Sequence, residues 1–163
     1  MDINNVDEAG NTLLHLAVED RDLAEVDRLI NAGANINIQN EDGETALHMA
    51  AEEGGLNVLN RLLQGNAEVN IQDEGGNTAI NIATGLGNVD MMNSLIMAGA
   101  NINIRDGEGY TPIHTAVEMG CSNEEVIDIL LDAGAILNIP DATGHYPIHT
   151  AVYNCTKDTF KKI

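Results

Sequence analysis

Thr12-Leu13-Leu14-His15-Leu16-Ala17 is repeated as Thr45-Ala46-Leu47-His48-Met49-Ala50, Thr78-Ala79-Ile80-Asn81-Ile82-Ala83, Thr111-Pro112-Ile113-His114-Thr115-Ala116 and Tyr146-Pro147-Ile148-His149-Thr150-Ala151. The first four copies start 33 residues apart and the fifth follows after 35. A fixed period of this size signals a stacked, one-dimensional architecture. Each copy carries its own physical logic. Thr opens a helix as an N-cap, and Pro112 and Pro147 fall in the first turn, where a missing N–H costs nothing. Apolar residues such as Leu14 and Leu16 give a short helix, and the closing Ala lets helices approach closely. A break follows at Gly54-Gly55 or Gly87, then a second helix such as Leu23-Ala24-Glu25-Val26-Asp27-Arg28-Leu29-Ile30 with a 3.6-residue apolar period.

Outward from that helix pair the chain is punctuated by glycine. Gly33, Gly99 and Gly134 supply a left-handed C-terminal cap, with Asn66 in the same place. Alternating stretches such as Asn35-Ile36-Asn37-Ile38 lead to a turn at Gly10, Gly43, Gly76, Gly109 or Gly144. Helices of about 8–10 residues do not persist alone in water. Each repeat must therefore bury its apolar face on its neighbours. The two extra residues fall in Gly120-Cys121-Ser122-Asn123, where a loop absorbs them.

These residues resemble the ankyrin repeat, with its Thr-Pro-Leu-His-x-Ala signature and its 33-residue length, over nearly the whole chain. Asn81 in place of His, Tyr146 in place of Thr and Pro in only two of the five copies are the departures. The expected fold is an all-α repeat solenoid, helix-turn-helix pairs joined by β-hairpin-like loops. One domain spans 1–163, with repeats at about 7–39, 40–72, 73–105, 106–140 and 141–163, the last incomplete. Both ends are abrupt, Asp2-Ile3-Asn4 matching the middle of a loop and Phe160-Lys161-Lys162-Ile163 an unfinished second helix. A fragment of a longer array is expected, with a charged covering helix as the alternative.

Composition narrows the function. The net charge is −19, with 26 acidic residues against seven basic ones, and Lys157, Lys161 and Lys162 are the only lysines. Nucleic-acid binding needs cations that displace counterions from phosphate, and an anionic membrane repels such a chain equally. Neither partner is expected; a basic protein is, since opposite potential speeds encounter. No apolar run reaches transmembrane length. Cys121 and Cys155 sit near equivalent places of neighbouring repeats, so a separation of one helix spacing, about 8–10 Å, is expected, beyond disulfide reach. An intracellular setting, cytoplasmic or nuclear, is expected, with delivery into a host cell as an alternative, and the chain is expected to be a monomer.

No chemistry is expected. His15, His48, His114 and His149 share one repeat position, but rings one helix spacing apart cannot reach a common zinc ion at about 2.0–2.1 Å. They are expected to bond backbone groups within and between repeats. Acidic pairs such as Glu52-Glu53, Asp73-Glu74 and Glu124-Glu125 sit at turns and helix ends, where no pocket separates their pKa values. No phosphate loop, nucleophile motif or calcium loop occurs, so neither cofactor, metal nor catalytic residue is expected.

The resemblance implies that partners are gripped by the loop tips and the exposed side of each first helix. Carried over by position, the contact residues are Glu8, Asn11, Glu19 and Asp20, then Glu41, Asp42, Glu44, Glu52 and Glu53. Glu74, Asn77 and Leu86 follow, then Glu108, Tyr110, Glu118 and Met119, and finally His145 and Tyr153. The first two repeats are almost wholly acidic there, while the last three bring Leu86, Tyr110, Met119 and Tyr153. The expected partner carries a basic segment beside an apolar one. Two alternatives stay open: hydroxylation by an asparaginyl oxygenase at Asn37, Asn70, Asn103 or Asn138, as the family resemblance implies, and mimicry of nucleic acid by the acidic face.

Overall fold

A computed structural model describes residues 2–53, 55–120 and 124–154. Among these lie nine helices: α1 (Leu13–Glu19), α2 (Leu23–Asn31), α3 (Ala46–Glu52), α4 (Leu56–Gln64), α5 (Ala79–Gly85), α6 (Val89–Met97), α7 (Pro112–Glu118), α8 (Glu124–Asp132) and α9 (Pro147–Asn154). Each odd helix begins at a repeated motif. Thr12, Thr45, Thr78 and Thr111 hold extended N-cap conformations and close a capping box with His15, His48, Asn81 and His114. Two backbone N–H groups that the helix start leaves unpaired are thereby satisfied. Asn81 keeps this role, its Oδ1 accepting from the Thr78 N–H at 3.2 Å. Before α9, Tyr146 retains only the histidine half, its N–H donating to His149 Nδ1 at 3.0 Å.

Left-handed residues end the helices as the sequence requires. Gly33, Gly99 and Gly134 lie at φ +86°, +90° and +92°, and Asn66 at +66°. Arg21, at φ +54°, occupies the place that Gly87 and Gly120 take in later repeats. That conformation costs a side-chain-bearing residue about 1–2 kcal/mol. Its guanidinium offsets part of this by donating to the Glu53 carboxylate at 3.0 Å and to the Glu53 carbonyl in the next repeat. Three residues separate the helices in each of the first three pairs and five separate α7 from α8, so the period's extension falls in that loop. Cys121, Ser122 and Asn123 themselves, with Cys155 and the lysine-bearing end, lie outside the described residues.

The helices form two layers, odd against odd and even against even. Leu14, Leu47, Ile80 and Ile113 are buried from the odd layer, Leu29, Leu59, Leu62, Met91, Met92, Leu95, Ile127 and Leu130 from the even one. Each such side chain contributes up to about 1.5–3 kcal/mol. Ala17, Ala50, Ala83, Ala116 and Ala151 are buried on the odd helices, which lie in closer contact with each other than the even helices do.

The loop tips are hairpin-like: the N–H groups of Asp7, Asn40, Asp73, Asp106 and Asp141 donate to the carbonyls four residues on at 2.8–3.0 Å, and an isolated Val6–Thr12 bridge extends the first of them. Side chains and backbone links between repeats add to these turns. Asn40 Oδ1 accepts from the Asp42 and Glu44 N–H groups, and Asp106 and Asp141 do the same in their own turns. Three loop asparagines act across repeats. Asn37, Asn70 and Asn103 accept from the N–H groups of Glu68, Asn101 and Ile136 at 2.9, 2.7 and 2.8 Å. Gln39 and Gln72 donate likewise to the carbonyls of Gln72 and Arg105. Consecutive tips are tied directly: the N–H groups of Glu41, Glu74, Gly107 and Ala142 donate to the carbonyls of Ala9, Asp42, Gly75 and Glu108 at 2.7–3.0 Å.

Candidate partner-binding face

The sequence-derived contact residues fall on two edges of the odd layer. One edge is the line of loop tips. Glu8, Glu41, Asp42, Glu74 and Glu108 are exposed there; Glu8, Glu41 and Glu74 share one repeat position on tips tied by hydrogen bonds, while the fourth tip has Gly107 at that position and Glu108 one residue later. The other is the C-terminal end of each odd helix. Asp20, Glu53, Leu86 and Met119 are the C-caps of α1, α3, α5 and α7, and Glu19, Glu52, Gly85 and Glu118 are the residues before them. Leu86 is 56% exposed and Met119 45%, large values for apolar side chains.

Between the edges lies a floor that the sequence reading missed. Residues three and four apart share a helix face. Leu16, Met49, Ile82 and Thr115 therefore stand beside the two C-terminal contact positions of their helices, and all four are half-buried. The signal was present in the motif itself, whose fifth residue is Leu, Met, Ile or Thr, but it reads equally as core.

The structure also sorts the residues immediately before each motif. Asn11, Glu44 and Asn77 are half-buried and engaged: Asn40 Nδ2 donates to Asn11 Oδ1 at 3.1 Å and to Glu44 Oε2 at 3.3 Å, and Asn77 Nδ2 donates to Asp73. They stabilise the tips, so less of each is available to a partner. Tyr110 stacks on His114, ring centroids 5.5 Å apart and planes within 9°. The negative charge of Glu118, then burial, then the charges of Asp141, Glu108 and Asp106 push the Tyr110 phenol above its ordinary value. That ring lies in a strongly negative field. His145 is exposed, and Thr143 Oγ1 lies 2.7 Å from its Nδ1. Tyr153 lies on α9, with its side chain outside the described part of the structure.

The arginines do little to offset the acids. Arg28 pairs with Glu25 at 2.6 Å, Arg21 with Glu53, Arg61 with Asp27, and Arg105 Nε donates to the Gly109 carbonyl. Such surface pairs contribute about 0–1 kcal/mol each.

His15 and His48 form the expected ladder. His15 Nδ1 accepts from the Thr12 N–H at 3.0 Å, and its Nε2 lies 3.2 Å from the Glu44 carbonyl of the next repeat; His48 does the same with Thr45 and the Asn77 carbonyl. At the third position the ladder breaks, for Asn81 Nδ2 is buried without a partner, as is the Nε2 of His114. Among the described residues no group of three His, Cys, Asp or Glu side chains is placed to hold a metal ion. Burial pushes His15 and His114 below the ordinary 6.5, more strongly than the backbone carbonyls and nearby carboxylates raise them.

A pH dependence follows from these two rings. Between their folded values and 6.5 the unfolded chain binds more protons, so stability rises with pH through that window. Their contribution is complete above 6.5 and is lost as pH falls. The double variant His15→Asn/His114→Asn, which copies the side chain found at Asn81, removes both titrations. Urea midpoints measured from pH 7.5 to 5 should fall more steeply for the parent than for this variant; parallel curves would show that these rings carry no such linkage.

A family model described as ankyrin repeats (3 copies) matches residues 1–73 and 80–163. With the two helical layers and the capped motifs, this places the chain in the ankyrin-repeat family, whose members generally mediate protein–protein interaction. A search of curated proteins finds no match. No helix among the described residues is long and apolar enough to cross a membrane.

Proposed function

We propose that this chain is a binding module that captures a basic segment of a partner protein on the odd-helix face, without catalysing a reaction on it. One observation carries the reading: exposed acids line both edges of a half-buried apolar floor at the first two repeats, and exposed Leu86 and Met119 continue the same face. Acids that only maintained solubility would have no reason to flank an apolar strip. Aromatic and apolar anchors inside a polar rim are the usual anatomy of a protein interface. The cross-repeat bonds of Asn37, Asn70 and Asn103 favour a stapling role for these asparagines over a role as modification sites.

Affinity capture with the intact chain, repeated at low and high salt, tests the proposal. Retained proteins should carry basic segments and should elute as the screening length falls from about 8 Å at physiological salt to about 3 Å at 1 M. Retention of acidic proteins, or retention indifferent to salt, would remove the electrostatic reading.

A further inference from the structure

The face has a pitch, and pitch constrains the partner's sequence. This inference rests on the proposed binding role and adds a register to it. Acids stand at one repeat position on three successive tips, Glu8, Glu41 and Glu74, with Asp42 beside the second; the fourth tip has Gly107 there and Glu108 one residue later. The tip-to-tip hydrogen bonds make this file rigid, and the odd helices behind it stack at about 8–10 Å per repeat. Beside the file runs the unpartnered outward face of the odd helices, with half-buried Leu16, Met49 and Ile82 and exposed Leu86 and Met119.

Few backbone conformations can place one cation per repeat on such a file. In a β-strand, residues on one side recur every second position, about 6.7 Å apart, too short for one repeat and too long at the next interval. A polyproline-II helix returns to the same side every third residue after about 9.3 Å, which matches. An α-helix matches only at every seventh residue, about 10.5 Å. Helix docking, however, uses a broad apolar groove, and here the apolar strip is one half-buried side chain wide, with carboxylates on both sides in the first two repeats.

We propose that the occupant is an extended segment in polyproline-II conformation, with Lys or Arg at every third position over the acidic tips. Its intervening apolar residues rest on the odd-helix face, most closely at Leu86 and Met119. Charge complementarity selects the basic residues, and the repeat pitch selects their interval.

Synthetic peptides of equal length and composition, with three arginines spaced two, three or seven residues apart, test the register by isothermal titration. The three-residue spacing should bind at least about tenfold tighter than the others, a difference of about 1.4 kcal/mol. That advantage should shrink in a Glu41→Gln/Glu74→Gln variant, which removes two charges of the file while keeping the side-chain shape. Equal affinities for all spacings would overturn the register and leave the basic-partner reading standing. Tightest binding at seven-residue spacing would overturn it in favour of a helical partner. If no arginine peptide binds, both the register and the basic-partner reading fall.

Discussion

Gly76→Ala is expected to destabilise the fold by roughly 2–4 kcal/mol, whereas Gly99→Ala, at a comparable left-handed backbone, should cost only about 1–2 kcal/mol. The two glycines sit at φ +78° and +90°, so the conformational penalty for a side chain is similar. Space separates them. A Cβ on Gly76 would stand 2.5 Å from the backbone nitrogen of Gly107 and 2.9 Å from the Asp106 carbonyl carbon, while one on Gly99 would meet nothing within 4 Å. The atoms in the way are backbone, and the same nitrogen donates to the Gly75 carbonyl at 2.7 Å, the link between the third and fourth tips. A methyl group there must push two repeats apart.

The form of the transition should change as well. In a solenoid, stability is a sum of repeat and interface terms, and weakening one interface uncouples the blocks on either side. Urea unfolding of Gly76→Ala, followed by circular dichroism, should show a lowered midpoint and a broadened or split transition. Gly99→Ala should stay a single transition near the parent's midpoint. Equal losses in the two variants would mean that the tip contact contributes nothing beyond the dihedral penalty.

The second large effect concerns binding. Reversing Glu41, Asp42 and Glu52 to lysine should weaken capture of an arginine-rich peptide by about a hundredfold at low salt, since like charges facing each other across an interface cost several kcal/mol. These three are exposed around the second repeat, two on the tip and one at the end of α3. Glu53 is left in place because it holds Arg21, whose left-handed backbone depends on that contact. A control variant carries the same change in net charge on the even-helix side, as Asp90→Lys, Glu125→Lys and Asp132→Lys, all exposed on α6 and α8. The control should lose less than about threefold, because the Debye length of roughly 8–10 Å screens charges on the far side of the stack. An equal loss in both variants would assign the attraction to overall charge and take the face out of it.

Much of this molecule was legible in its sequence, because each decisive signal is local. The period of 33 marks the unit. Thr followed three residues later by His or Asn closes a capping box using neighbours on one turn, and Gly or Asn after each second helix permits the left-handed exit. Apolar spacing then identifies the buried face of each helix. The exposed candidates Glu41, Asp42, Leu86 and Met119 could be placed because repeat position predicts exposure once the unit is known.

The tertiary structure decided what depends on two repeats at once. Asn11 looks like a contact residue in sequence, yet Asn40 of the next tip engages it, whereas Glu44 and Asn77 are engaged by Asn40 and Asp73 of their own turns. Arg21 carries no local mark of a left-handed backbone; its partner is Glu53, a full repeat away. The Asn37, Asn70 and Asn103 staples, the half-buried floor and the unpartnered Asn81 Nδ2 arise only when one repeat is laid on the next. Helix starts and stops are short-range hydrogen-bonding problems, solvable within a few residues of chain. Burial and cross-repeat bonding are properties of the stack, and no single repeat contains them.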